Sequence, residues 1–126
     1  FALRGRMHWE NLRVIRLAHN SIPKIEECMK LLVHVEEADF SHNLIRTIEN
    51  LEECVWLRRL DMSHNMVTSV VDINRCLGNL SVLRLAHNHV ASVTGLERLP
   101  SLTQLDLAHN RLENVSSVHR LRRLPV

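Results

Sequence analysis

Histidine carries protons near neutral pH and ligates metal ions. Five of the nine histidines in this sequence recur in one setting, each directly before an asparagine: His19-Asn20, His42-Asn43, His64-Asn65, His87-Asn88 and His109-Asn110. Two other reactive groups accompany them. Asp39 and Asp61 each stand four residues before such an asparagine, and neighbouring carboxylates are the raw material of acid–base catalysis. Cys28, Cys54 and Cys76 supply thiols, but no CxxC pair. An odd cysteine number suits a reducing compartment better than a disulfide framework, and the three are expected to be core thiols.

What positions these groups is a repeat. Aligned on the five asparagines, the spacings are 23, 22, 23 and 22 residues, and a constant period of about 20–29 marks a solenoid of stacked coils. Eight, five and three residues before each asparagine stand Leu12, Ile15, Leu17; Val35, Ala38, Phe40; Leu57, Leu60, Met62; Leu80, Leu83, Leu85; and Leu102, Leu105, Leu107. Two and five after it come Ile22, Ile25; Ile45, Ile48; Val67, Val70; Val90, Val93; and Leu112, Val115, so all 25 positions are apolar. Cys28, Leu51, Ile73, Leu96 and Val118 extend the series.

Apolar residues five and three before the asparagine fit a period-two strand of about five residues. The later spacing of three fits a 3₁₀ or loosely helical return. One coil cannot bury its own apolar side, so coils must stack into a parallel sheet on the inner curve with helical turns outside. The 23-residue coils carry their extra residue in the return, where it leaves strand register intact. Gly78 and Gly95 fall in returns, where positive φ is expected.

These coils resemble the leucine-rich repeat superfamily, in the short intracellular class typified by a protein-phosphatase-1 regulatory subunit, over nearly the whole chain. The resemblance implies an α/β solenoid with a curved parallel sheet on its concave side and 3₁₀ or short helical turns on its convex side. Residues 1–126 are expected to form one domain of about five coils, cut at both ends, since "FALRGRMHW" lacks a polar cap and "RRLPV" opens another coil. The wording of "LDMSHNMV" and "CLGNLSVLRLAHNHVASVTGLERLPSLTQLDLAHNRLENVSSVHRL" is most similar to the repeats of the imidazoline-receptor-like scaffolds. That resemblance implies an interaction module for signalling and the cytoskeleton, with a phosphoinositide-binding PX domain on the same polypeptide. It also implies endosomal membranes and protein partners such as an integrin tail, Rac or its effector kinases. A phosphatase-holding regulatory subunit is the alternative, although that family has aromatic concave residues and this face has none. A ribonucleoprotein partner is a third, weakened by the lack of a basic face.

At a strand-to-turn corner an asparagine amide both donates to a carbonyl and accepts from an N–H. Asn20, Asn43, Asn65, Asn88 and Asn110 are therefore read as a structural ladder. Parallel strands lie about 4.8 Å apart, so the five histidines form a second ladder at the concave rim. Three readings of it stand open: rings that pack on each other and hydrogen-bond at the sheet edge, a pH-sensitive edge, or a metal site. A straight row does not converge on one ion, which counts against the last.

The residues between the apolar strand positions face the concave side. Four before the corner asparagine, the middle row is Arg16, Asp39, Asp61, Arg84 and Asp106; six before it, the outer row is Val14, Glu37, Arg59, Val82 and Gln104; two before it, the inner row is Ala18, Ser41, Ser63, Ala86 and Ala108. The charged and polar members Arg16, Glu37, Asp39, Arg59, Asp61, Arg84, Gln104 and Asp106 are the candidate partner-binding residues. The competing reading is that middle-row charges pair with each other along the sheet.

Catalysis is not expected, because no nucleophile motif, P-loop, HExxH or pocket-forming insertion occurs, and an open sheet excludes water poorly. No cofactor or resident metal is expected either. A net charge of +2 is too mild for a nucleic-acid surface, and no apolar run is long enough to span a bilayer. With 45% hydrophobic and 24% charged residues the chain should fold, and with 3% aromatics its core must be thin aliphatic layers. A monomer located in the cytoplasm, endosome-associated through other domains, completes the expectation.

Overall fold

The strand-forming triplets sit at the same place in every coil. The computed structural model describes residues 9–73 and 77–113. In it β1 (Val14–Arg16), β2 (Glu37–Asp39), β3 (Arg59–Asp61), β4 (Val82–Arg84) and β5 (Gln104–Asp106) form one parallel sheet in chain order. Ile15 is opposite Ala38, Ala38 opposite Leu60, Leu60 opposite Leu83 and Leu83 opposite Leu105. The extra residue of the longer coils leaves this register untouched. This is the parallel-stranded solenoid expected from the repeat.

The strands are three residues long, shorter than the five expected. Their backbone ladder continues to the corner, with His42 N–H donating to the Ser63 carbonyl at 2.9 Å and His64 N–H to the Ala86 carbonyl at 2.9 Å. The regular pattern stops because the next carbonyls, such as that of Phe40, are taken by asparagine amides. The histidine then turns the chain out of extended geometry.

The core is a set of apolar columns running the length of the solenoid. Val35, Leu57 and Leu80 form one, Ala38, Leu60 and Leu83 another, and Phe40, Met62 and Leu85 a third, all 4% exposed or less. A further column, Leu32, Cys54, Leu77 and Leu99, stands three residues upstream of the first. The recurring LxxL spacing carried that signal. The end coils bury less: Leu12, Ile15, Leu17 and Leu107 are half-buried and Leu112 is exposed.

Cys54 is a core thiol, fully buried and within 3.5 Å of the Leu32 carbonyl. Cys28 is a correction, because in its longer return a 3₁₀ turn, Glu27–Leu31, rotates Met29 into the core instead. Half-buried beside Glu26, the Cys28 thiol is pushed above its ordinary pKa by burial and then by that carboxylate. Cys76, Val115 and Val118 lie outside the described residues. Ile48 is only partly buried.

The outer side carries 3₁₀ turns, with Leu96–Arg98 a second example. Gly95, which precedes it, has φ of 107°, and a Cβ there would drive into the Val70 carbonyl oxygen of the coil before. Gly78 departs from expectation, since it has open space around its Cα and is absent from the positive-φ residues.

Candidate functional site

From the second coil to the fifth, each corner asparagine does more than close its own turn. Asn65 Oδ1 accepts the Ile45 N–H at 3.0 Å, while Nδ2 donates to the Phe40 carbonyl at 2.9 Å, so one amide grips the preceding coil twice. The same Nδ2 reaches the Met62 and Ser63 carbonyls of its own coil at 3.0 and 3.2 Å. Asn43 repeats this with Ile22 and Leu17, Asn88 with Val67 and Met62, and Asn110 with Val90 and Leu85. Asn43, Asn65 and Asn88 are buried, whereas Asn110 is half-buried. Exposed Asn20, in the first coil, bonds through its amide to the Ala18 carbonyl at 3.0 Å.

The histidines stand immediately before this corner, and all five have φ between 56° and 60°. That left-handed conformation costs most residues free energy, although His, Asn and Asp adopt it more readily. It turns each imidazole outward in the same sense. His19, His42, His64, His87 and His109 stack face to face, with successive centroids 4.1, 4.2, 4.2 and 4.2 Å apart and planes within 14°. Among the described residues no ring nitrogen of the five has a protein hydrogen-bond partner. No group of metal-ligating side chains converges among those residues.

Stacking makes the central ring hard to charge. His64 is held below its ordinary pKa of 6.5, first by desolvation and then by His42 and His87, with Asp61 opposing and His109 adding to the depression. A histidine with a lowered folded-state pKa favours the neutral fold. Its contribution to stability is complete above 6.5 and is lost as pH falls through the lower folded value. The urea midpoint is therefore expected to fall on acidification from neutrality. In His64→Asn, which keeps a residue tolerant of positive φ, that fall should be shallower; equal slopes in parent and variant would refute the assignment.

The concave rows line a shallow groove of about 190 Å³ whose walls include Arg16, Glu37, Asp39, Arg59, Asp61 and Arg84. A continuation lined by Asp61, Arg84, Gln104 and Asp106 also has His64 on its border, so the imidazole ladder does edge this surface. In the outer row Glu37 meets Arg59 at 3.8 Å. The middle row behaves differently. Asp39, Asp61 and Asp106 each accept the backbone N–H two residues on, from Ser41, Ser63 and Ala108, at 2.9, 2.9 and 3.0 Å. No ion pair joins the middle-row charges among the described residues.

Two features escaped sequence reading. Beside the outer row, Glu36 holds Arg13 at 3.1 Å and Arg58 at 3.5 Å, a surface chain across three coils visible only once the register is known. Trp56 and Val55, entering β3, are more than two-fifths exposed. Trp56 occupies a position between two core columns, where period three turns it outward.

Parallel three-residue strands at a period of 22 to 23, apolar columns and an asparagine-bonded corner define a leucine-rich repeat solenoid. The fold is that of leucine-rich repeat proteins, a kind of domain that generally serves protein–protein interaction. Residues 78–118 match the family described as leucine rich repeats in two copies. Among solved structures, internalin C2 from Listeria monocytogenes shares 22% identity at a TM-score of 0.81, covering 93% of this chain and 51% of that one. A leucine-rich repeat protein from Leptospira interrogans shares 24% at 0.78, covering 88% and 29%. TLR13, solved as a complex with ssRNA13, shares 26% at 0.69, covering 77% and 15%. The chain thus spans about half or less of the structures it matches. Among the described residues no helix is long and apolar enough to cross a membrane.

Proposed function

We propose that this domain is the interaction module of an intracellular scaffold or signalling protein similar to nischarin, and that it recognises a protein partner through its concave rows. The supporting observation is the middle row, where Arg16, Asp39, Asp61, Arg84 and Asp106 stand in register without neutralising one another. Charges left unpaired on an accessible face steer encounter and select a partner. Glu37, Arg59 and Gln104 flank them and complete the candidate surface. Domains beyond the repeats would supply the cytoplasmic and endosomal address.

The test is recovery of purified candidates, namely an integrin cytoplasmic tail, Rac and an effector kinase, with a phosphatase catalytic subunit as the competing class. The parent chain should retain one of the first three, and Asp39→Lys/Asp61→Lys/Arg84→Glu should lose it while keeping its circular dichroism spectrum. Undiminished recovery by the folded variant moves the site off the concave face. Retention of the phosphatase alone overturns the scaffold reading.

A further inference from the structure

The concave rows also constrain the shape of what they hold. From the first coil to the fifth the middle row runs Arg16, Asp39, Asp61, Arg84, Asp106, with each residue directly opposite the next across the parallel ladder. Their signs are plus, minus, minus, plus, minus. The three carboxylates are anchored to backbone N–H groups, which fixes their directions and keeps them from folding onto the arginines. To one side lie the small inner-row residues; to the other, the Glu37–Arg59 pair leaves Val14, Val82 and Gln104 as its neutral neighbours.

We propose, resting on the concave-face reading above, that this surface seats a single α-helix of the partner, laid along the solenoid axis across the strands. That helix carries an acid–base–base–acid–base stripe at intervals of three to four residues. Pitch is the first argument. Coils repeat about every 4.8 Å, and a helix advances about 4.5–6 Å over three to four residues, so one side chain of the stripe meets each coil. Alternate residues of an extended peptide advance about 6.6 Å and fall a whole coil out of step within three coils.

Width is the second argument. Outer to inner row spans four residues of strand, about 13 Å, which accommodates a helix about 10–12 Å across. The small inner row gives the depth on that side, while the exposed Val14 offers an apolar contact at the opposite edge. Sign is the third. A helix presenting its acids at Arg16 and Arg84 and its bases at Asp39, Asp61 and Asp106 satisfies all five groups. A second copy of the chain, turned about a twofold at the third coil, would match four of them but oppose Asp61 to Asp61. Two concave surfaces also meet only at their rims.

The probe is a synthetic alanine-based helical peptide of about 18 residues carrying Glu, Arg, Arg, Glu and Arg along one face. Its comparisons are a sign-inverted peptide and a matched peptide broken by a central proline. By fluorescence anisotropy at low salt the matched helix should bind about tenfold more tightly than either. Arg16→Glu/Arg84→Glu, which leaves the aspartate-anchored turns intact, should abolish that preference. Equal binding of matched and inverted peptides, or of helical and proline-broken ones, overturns the proposal. So does a sedimenting dimer that the double variant dissociates, since the face would then belong to a second copy. If the charge-reversed chain loses its protein partner while the peptides bind alike, the concave reading survives and the helix alone fails.

Discussion

Asn65→Ala lowers the unfolding free energy by about 1–3 kcal/mol, and Asn65→Asp by at least as much. The alanine leaves the buried Ile45 N–H without its acceptor, while the Phe40 carbonyl loses one of two donors and keeps the Asn43 amide. An orphaned buried N–H costs about 1–3 kcal/mol. Aspartate separates hydrogen bonding from size. Its Oδ1 can still accept from Ile45, but the oxygen replacing Nδ2 faces the carbonyls of Phe40, Met62 and Ser63, with no proton to share. Because this asparagine couples the second coil to the third, its loss should also broaden the urea transition, as nearest-neighbour coupling in a repeat array weakens. A near-parental urea midpoint in Asn65→Asp would show that the amide's donor half is dispensable.

Phe40→Ala costs about 3–5 kcal/mol, the loss typical of a buried aromatic. Its neighbouring core position explains why a phenyl ring is tolerated in a column that elsewhere holds Leu17, Met62, Leu85 and Leu107. Two residues earlier stands Ala38, where the other coils have Ile15, Leu60, Leu83 and Leu105. The large ring fills part of the space that the small alanine leaves, which keeps the layer near the packing density of a protein interior. Ala38→Leu alone should therefore overpack the layer and cost about 1–3 kcal/mol. Phe40→Leu alone leaves a void. The double variant restores the two-leucine arrangement of the fourth coil, and its loss should be smaller than the sum of the singles. Strict additivity in thermal denaturation would mean that the two side chains do not share one space.

Much of this architecture was legible in the residues. The asparagine spacing carried the coil length, and period-two alternation carried the strand faces, so the concave rows fell where they were expected. Met29 was not legible. A period-three count through the longer return lands on Cys28, and only the five-residue 3₁₀ turn decides which neighbour the core receives. The middle-row pairing was equally undecided. Opposite charges on adjacent strands could close on each other, and the anchoring of Asp39, Asp61 and Asp106 by backbone N–H groups emerges only with the turn in place.

By itself, the sequence determined the repeat, the side of each strand that is buried, and the polar residue standing at each corner. Those depend on local period and on the cost of exposing apolar surface, which neighbouring residues carry in full. The tertiary structure alone decided that Asn43, Asn65, Asn88 and Asn110 each bind the coil before them and that five histidines in positive φ stack into one column. It also decided that the middle-row charges remain free of one another among the described residues. Those depend on groups about 22 residues apart in sequence that stacking brings to within about 5 Å, a distance that no local pattern encodes.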